Sequence, residues 1–275
     1  MTTQTIPRPG ATADQARTRS AGTLRRAIAS EWIKLRTVRS TAYVLAVVVL
    51  GLVLMAAMAA IGSVVDDSAE ADATTVGPLG GALAGISLAE LAVVVLGVLA
   101  VSGEYGSGLV RVTLAATPRR WPVVVAKGLV VAATVFVSTL LAVVAAFGVS
   151  ALILAGEGIQ TSLTAPGALR ALVAGPVYLA GISLLGVGFG WLLRSTAGAL
   201  AMVFVVLYVL PVVGFVLPGS VASVVVPLLP GNAGSAMMQL APSELLSPGA
   251  GFAVFAAYTV ATLATASLVL RRRDA

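Results

Sequence analysis

Cysteine and histidine are both absent from this chain of 275 residues. Without cysteine there is no disulfide and no thiolate, and without histidine there is neither an imidazole metal ligand nor an imidazole acid–base group. The phosphate-binding pattern G-x-x-x-x-G-K-[ST] is missing as well, so we do not expect this chain to hydrolyse a nucleotide itself.

Charged residues are scarce, at 10% of the chain, whereas hydrophobic residues make up 59%. A typical soluble domain has about 25% charged residues. So few polar side chains cannot cover a water-soluble globule of this size, and the alternative solvent is lipid. The composition therefore predicts an integral membrane protein.

Long apolar runs recur along the chain and end in glycine, proline or charge. A helix that crosses the membrane needs about 20 apolar residues, and in lipid its backbone satisfies its own hydrogen bonds. The alternating pattern of a barrel strand is missing. We predict an all-α membrane protein with six transmembrane helices. The predicted spans are Thr41–Gly62, Ala82–Ser102, Gly128–Ala155, Leu169–Trp191, Ala197–Leu217 and Ala250–Leu270.

The 17 basic residues are distributed unevenly between these spans. Eight precede the first span, four lie between the second and third, one lies between the fourth and fifth, and three follow the sixth. Sixteen of the 17 therefore share one side, with Arg170 as the exception. Because basic residues accumulate on the cytoplasmic side, we predict that both termini are cytoplasmic. The first loop on the other side, SVVDDSAEADATTVG, has four acidic residues and no basic one.

A further apolar stretch, 220–240, is long enough to be considered as a seventh span. Pro227, Pro230 and Gly231 lie at its centre, and a helix interior tolerates such a cluster badly. A crossing here would also place the three C-terminal arginines outside, against the charge distribution. We predict two short helices that re-enter the outer leaflet between the fifth and sixth spans, shielded by protein or water.

The segment before the first span, TLRRAIASEWIKLRTVRS, has an amphipathic pattern. Leu24, Ile28, Trp32 and Leu35 form one helical stripe, and basic residues occupy the other faces. This pattern predicts a helix in the membrane interface, with the tryptophan at headgroup depth. Attachment to anionic lipid would by itself explain such a helix. The predicted domains are a disordered N-terminus (1–22), the amphipathic helix (23–40), a six-helix transmembrane domain (41–270) and a cytoplasmic tail (271–275).

The stretch GEYGSGLVRVTLAATPRRWPVVVAK interrupts the apolar sequence between the second and third spans. Gly106, Ser107 and Gly108 allow a sharp turn. Residues 109–116 have room for about two helical turns, which Thr117 and Pro118 end. We predict a short, rigid helical elbow in the cytoplasm, with an ordinary cytoplasmic loop as the alternative.

Three stretches, SEWIKLRTVRSTAY, GEYGSGLVRVTLAATPRRWPVVVAK and PLLPGNAGSAM, together resemble permease subunits of ABC transporters of the ABC-2 family. The resemblance runs from about Ser30 to the C-terminus. It implies half of an ATP-driven exporter in the bacterial cell membrane. An amphipathic connecting helix would precede six spans, and the elbow would contact a separate ATPase subunit. The residue after Tyr105 departs from the pattern, because a more charged residue is expected there.

The same resemblance implies partners and site residues. The partners are the ATPase subunit, which binds the ATP, and a second permease copy or a paralogue; this chain needs no cofactor of its own. Amphipathic drugs, lipids and peptides are all compatible substrates. The implied ATPase-coupling residues are Glu104, Tyr105, Arg111, Thr117, Pro118, Arg119 and Arg120. The implied connecting-helix residues are Trp32, Lys34, Arg36 and Arg39.

Glu90 is the one carboxylate well inside a predicted span. An acid within the membrane usually faces a cavity or a partner, which makes Glu90 a candidate for the translocation path. Alternatively, it lies near the outer end of its span and reaches lipid headgroups or Arg170.

Two other functions are open to a protein of this composition. A secondary transporter driven by an ion gradient needs ionisable groups near the midplane, for which Glu90 alone is weak support. A membrane enzyme acting on lipid needs acids, histidines or metal ligands clustered at one face, and the sequence lacks such a cluster.

Overall fold

The structure is a computed structural model that describes residues 24–65, 77–110, 121–156, 158, 167–214, 216–239 and 246–273. All regular secondary structure in this part of the chain is helical. Six helical segments are long and apolar enough to span a membrane, which confirms the predicted fold class at that level. They are Arg39–Val65, Pro78–Gly106, Trp121–Ala155, Ala168–Leu193, Thr196–Gly214 and Pro248–Leu270, here called the first to the sixth span.

Two spans are composite. The second consists of helices Pro78–Ala84 and Ile86–Gly106, which meet at Gly85. The fifth consists of helix Thr196–Phe204, a π-helical segment Val205–Val209 and helix Leu210–Gly214. The helix that contains the sixth span is Pro248–Arg273, so the arginines assigned to the tail belong to that helix.

Several span boundaries differ from the predicted ones, most of all at the start of the third span. That helix begins at Trp121 rather than Gly128 and includes Lys127. Pro122 fits its first turn because the first N–H groups of a helix have no partner within the helix. The predicted span begins after Lys127 because a lysine is not apolar. The helix nevertheless includes Lys127, because its side chain is buried against carboxylates.

The fourth span, Ala168–Leu193, lies at the centre of the bundle and packs against the second, third and sixth spans. Close approach to the second span depends on small residues. A Cβ on Gly97 would overlap the carbonyl oxygen of Ser183, and one on Gly186 would lie 2.9 Å from the carbonyl oxygen of Val94. The glycines of the two central spans therefore fix the distance between their backbones, as small residues do in other membrane bundles.

The other spans present rows of aliphatic side chains on the outside of the bundle. Leu50 and Leu54 of the first span, Leu141 and Leu152 of the third and Val260 of the sixth are all exposed. A water-soluble protein does not tolerate apolar patches of this extent. These faces fit contact with lipid or with a further membrane subunit.

Residues 219–236 form two short helices, Gly219–Leu228 and Pro230–Ala236. The helical hydrogen bonding breaks at Leu229, whose backbone is extended (φ −62°, ψ 143°). The side-chain amide of Asn232 donates to the carbonyl oxygen of Val226 at 2.8 Å, across the break. The proline-rich centre thus interrupts the apolar stretch, as its sequence predicts.

Candidate functional site

A helix over residues 24–37 precedes the first span. Leu24, Ile28 and Leu35 are half-buried, so most of the predicted apolar stripe faces the protein. Trp32, by contrast, is 49% exposed, and the buried residue on this part of the helix is Glu31. A carboxylate that the sequence pattern did not single out therefore faces the protein.

Four charged side chains from three parts of the chain meet where this helix contacts the bundle. Glu31 and Lys34 come from the helix over 24–37, Glu104 from the last turn of the second span, and Lys127 from the start of the third span. Lys127 Nζ lies 2.5 Å from Glu31 Oε2 and 2.8 Å from Glu104 Oε1. Lys34 Nζ lies 2.8 Å from Glu31 Oε1 and 2.9 Å from Glu104 Oε1. We call these four residues the ion cluster.

The ion cluster is an alternating ring of opposite charges, and most of it is out of contact with solvent. Lys127 is 3% exposed and Glu31 is 5% exposed. Each buried ion costs several kcal/mol of desolvation, which is recovered only when opposite charges and hydrogen bonds surround it. Each of the four groups has both neighbours at hydrogen-bond distance. The cluster therefore holds together three segments that are distant in the sequence.

Lys34 is the ion-cluster member that lies before the first span, and its pKa is displaced from the ordinary value of 10.5. Burial alone would lower the pKa, but hydrogen bonds and Coulombic attraction from Glu31 and Glu104 outweigh burial and raise it. Because the charged form is favoured in the folded protein, Lys34 stays protonated at neutral pH.

A second set of contacts joins the same end of the second span to the junction of the fourth and fifth spans. The ring of Tyr105 meets the ring of Trp191 edge-on, with centroids 5.8 Å apart, and the Arg194 guanidinium lies 5.5 Å from the Tyr105 ring centre. Thr196 Oγ1 donates to Ser102 Oγ at 2.9 Å. Side chains at this end of the second span therefore contact the third, fourth and fifth spans.

The implied coupling residues fall into two groups. Glu104 and Tyr105 lie in the last turn of the second span, not beyond it. The chain then turns at Gly108, whose φ of 73° favours glycine. The others lie outside the described residues; they are Arg111, Thr117, Pro118, Arg119 and Arg120.

The implied connecting-helix residues are also divided. Trp32, Lys34 and Arg36 lie on the helix over 24–37, whereas Arg39 is the first residue of the first span. Lys34 belongs to the ion cluster, and the side chains of Trp32 and Arg36 are exposed.

Glu90 lies in a separate polar site, in the first turns of helix Ile86–Gly106. It is 7% exposed, and its carboxyl group faces the hydroxyl groups of Tyr178 in the fourth span and Tyr208 in the fifth. Arg170, its alternative partner, donates instead to the carbonyl oxygen of Gln239 at 2.5 Å. Fourteen residues separate Glu90 from Glu104 on one helix, so the two sites are about 21 Å apart along its axis.

The fifth span is irregular where it meets Glu90. Tyr208 belongs to the π-helical segment Val205–Val209 and stacks on Phe204, with ring centroids 5.2 Å apart. The Tyr208 hydroxyl is buried and forms no hydrogen bond of good geometry with the described residues. Single π-helical turns occur often at functional sites, because they shift the side chains of one face.

Sequence reasoning missed Glu31, Lys127, Tyr178 and Tyr208 as site residues. One local signal was available, since Glu31 and Lys34 are three residues apart and share a helix face. The remaining pairs of the ion cluster join residues 23 to 96 positions apart, and the two tyrosines lie nearly as far or still further from Glu90 along the chain, which no local pattern reveals.

No group of three or more acidic residues in the described parts of the chain is arranged to hold a metal ion. No protein-family model matches the chain, and no curated protein matches its sequence.

Proposed function

We propose that this chain is the membrane-spanning permease subunit of an ATP-driven ABC exporter of the ABC-2 type, in the bacterial cell membrane. In this proposal both termini are cytoplasmic, and residues 219–236 re-enter the outer leaflet. A separate ATPase subunit binds the ATP, and two permease subunits enclose the translocation path. The basic loops and the three stretches that resemble this family support the proposal.

The structural observation that carries the proposal is the ion cluster. A soluble motor can move membrane helices only through a part that is rigidly attached to them and also reaches the aqueous side. The cluster joins the helix over 24–37 to the end of the second span and the start of the third, which flank the segment 107–120. In this proposal, force applied to that segment is delivered to three helices as one unit.

Arg119 and Arg120 are adjacent cations just before the third span. We propose that they meet carboxylates on the ATPase. Truncation of one partner in a partly desolvated interface pair typically costs about 2–5 kcal/mol.

The test compares two double variants in the reconstituted complex. Arg119→Ala with Arg120→Ala should weaken ATPase association and transport while the permease stays folded. Arg271→Ala with Arg272→Ala is the matched control, because it removes the same charge on the same side but outside the proposed contact. Equal losses of transport, ATPase stimulation and co-purification in both variants would contradict the coupling role.

A second candidate, a secondary transporter driven by an ion gradient, is favoured by one observation. Glu90 has two facing tyrosines on different spans, which is the kind of buried ionisable group that such a carrier needs. This candidate predicts transport by the chain alone in liposomes with an ion gradient and no ATP, and its loss in Glu90→Gln. The exporter predicts no transport under those conditions.

A further inference from the structure

The fourth and fifth spans are joined by two residues, Arg194 and Ser195, whereas each of the other four connections between spans has at least 12. So short a connection has no slack, because the backbone angles of these two residues set the direction in which the fifth span leaves the fourth. Arg194 is in the left-handed region (φ 54°, ψ 14°), and Ser195 is extended (φ −131°, ψ 129°). The fifth span is therefore fixed only as firmly as Arg194 keeps this conformation.

Arg194 is the one residue other than glycine that has a positive φ in the described parts of the chain. A residue with a Cβ populates the left-handed region about five- to thirtyfold less than the right-handed one, because the Cβ approaches the carbonyl oxygen. Helices often end in this conformation, but the residue there is usually glycine or asparagine. An arginine at this position points to a side-chain interaction that offsets the strain.

The side chain of Arg194 has such an interaction with the second span. Its guanidinium lies 5.5 Å from the ring centre of Tyr105, which is within the range of a cation–π interaction. The ring of Tyr105 is in turn held edge-on by the buried Trp191. The backbone N–H of Arg194 donates to the carbonyl oxygen of Gly190 at 3.0 Å and so closes the fourth span. Arg194 thus ties the turn to both the second and the fourth spans.

The second and fourth spans are a rigid frame for this turn, and the fifth span is attached to them less firmly. Beside the turn, a Cβ on Gly190 would lie 3.0 Å from the Cβ of Val101, so the two backbones are in close contact. Of the most apolar part of each helix, 22% is buried in the fifth span and 67% in the fourth. Tyr208 lies twelve residues beyond the start of the fifth span, about 18 Å along a helix axis. A change of direction at the turn therefore displaces Tyr208 relative to Glu90.

We propose that Arg194 is the positioning residue of the site at Glu90. Its contact with Tyr105 holds the left-handed turn, the turn sets the direction of the fifth span, and the fifth span places Tyr208 at the Glu90 carboxyl group. Loss of the contact at the end of the second span releases the turn and moves Tyr208 away from Glu90. The inference does not depend on an ATPase partner, and it holds for either candidate function.

The test is the distance between two spin labels in the purified full-length chain, which has no native cysteine to remove. The labels are attached to cysteines at Leu88 and Val209, which are both exposed and lie within two residues of Glu90 and Tyr208. Glycine adopts positive and negative φ about equally, so Arg194→Gly releases the turn. We expect the distance distribution to shift or broaden by about 3 Å, which a change of direction of about 10° gives over about 20 Å of helix. The melting temperature should not fall, because the strain is removed together with the contact.

Two variants of Tyr105 separate the contact from the backbone effect of glycine. Tyr105→Leu removes the ring face but keeps an apolar group against Trp191, and it should change the distances as Arg194→Gly does. Tyr105→Phe is the matched control: it keeps the ring beside the guanidinium, so its distribution should equal that of the parent. Because both substitutions act through one contact, combining Arg194→Gly with Tyr105→Leu should change the distances no more than either alone.

Three outcomes would overturn the proposal. Unchanged distances in Arg194→Gly, with or without a lower melting temperature, would leave Arg194 a merely structural role. A change in Arg194→Gly but none in Tyr105→Leu would show that the Tyr105 contact does not hold the turn. An equal change in Tyr105→Phe would show that the ring face is not what the guanidinium needs.

Discussion

Replacing Lys127 by methionine should release the helix over 24–37 from the bundle. The variant keeps an unbranched apolar stem like that of lysine but removes the ammonium that contacts Glu31 and Glu104. The buried carboxylates of Glu31 and Glu104 are then left with one cation, Lys34, between them. Breaking a buried ion pair in this way costs about 3–5 kcal/mol. Because Glu31 lies on a helix outside the six spans, undocking relieves most of this cost by returning Glu31 to water, and the six spans remain assembled.

Hydrogen–deuterium exchange measures this local opening directly. A loss of about 3 kcal/mol corresponds to an increase in the open population of more than a hundredfold. We expect faster exchange in residues 24–37 and unchanged exchange in the fourth span. Lys34→Met is the control: this lysine is one-third exposed, and exposed pairs contribute about 0–1 kcal/mol. Unchanged exchange in Lys127→Met, or equal effects of the two variants, would refute the view that the ion cluster holds the helix.

Three further predictions concern topology, packing and pH. Cysteines placed at Ser68 and Ser195 in this cysteine-free chain should react with an impermeant label from outside only at Ser68, and the reverse pattern would contradict the orientation. Gly97→Leu should destabilise the bundle by about 3 kcal/mol or more, measured as lost thermal stability, because its side chain overlaps the backbone of the fourth span. Since the folded protein raises the pKa of Lys34, its contribution is complete below pH 10.5 and lost as pH rises through the higher folded value. Because an exposed pair contributes only about 0–1 kcal/mol, deprotonation of Lys34 should leave the helix over 24–37 docked, and the anisotropy of a dye at Ser30 should change little through that pH range.

Much of the architecture follows from the sequence because lipid leaves the backbone few choices. Runs of about 20 apolar residues become helices wherever they occur. Proline and glycine at the centre of 220–240 likewise predict the break that the structure has at Leu229. The predicted bounds of the spans are wrong at several of their ends. The third span includes Lys127, because a buried lysine is compatible with a helix once its charge is neutralised.

The candidate sites were less predictable, because they depend on contacts between distant segments. The amphipathic pattern predicted a helix in the membrane interface and did not single out Glu31, which the ion cluster turns toward the protein. No local pattern distinguishes a carboxylate that faces water from one that faces two lysines. The same applies to Tyr178 and Tyr208, which look like ordinary aromatic residues of a span until the fold brings them to Glu90.

The measurement that tests the proposed function most directly is purification of the complex from native membranes, followed by transport assays in liposomes. We predict that a soluble chain with the phosphate-binding pattern G-x-x-x-x-G-K-[ST] co-purifies, and that transport requires both chains and ATP hydrolysis. Transport by this chain alone, driven by an ion gradient and independent of ATP, would contradict the account.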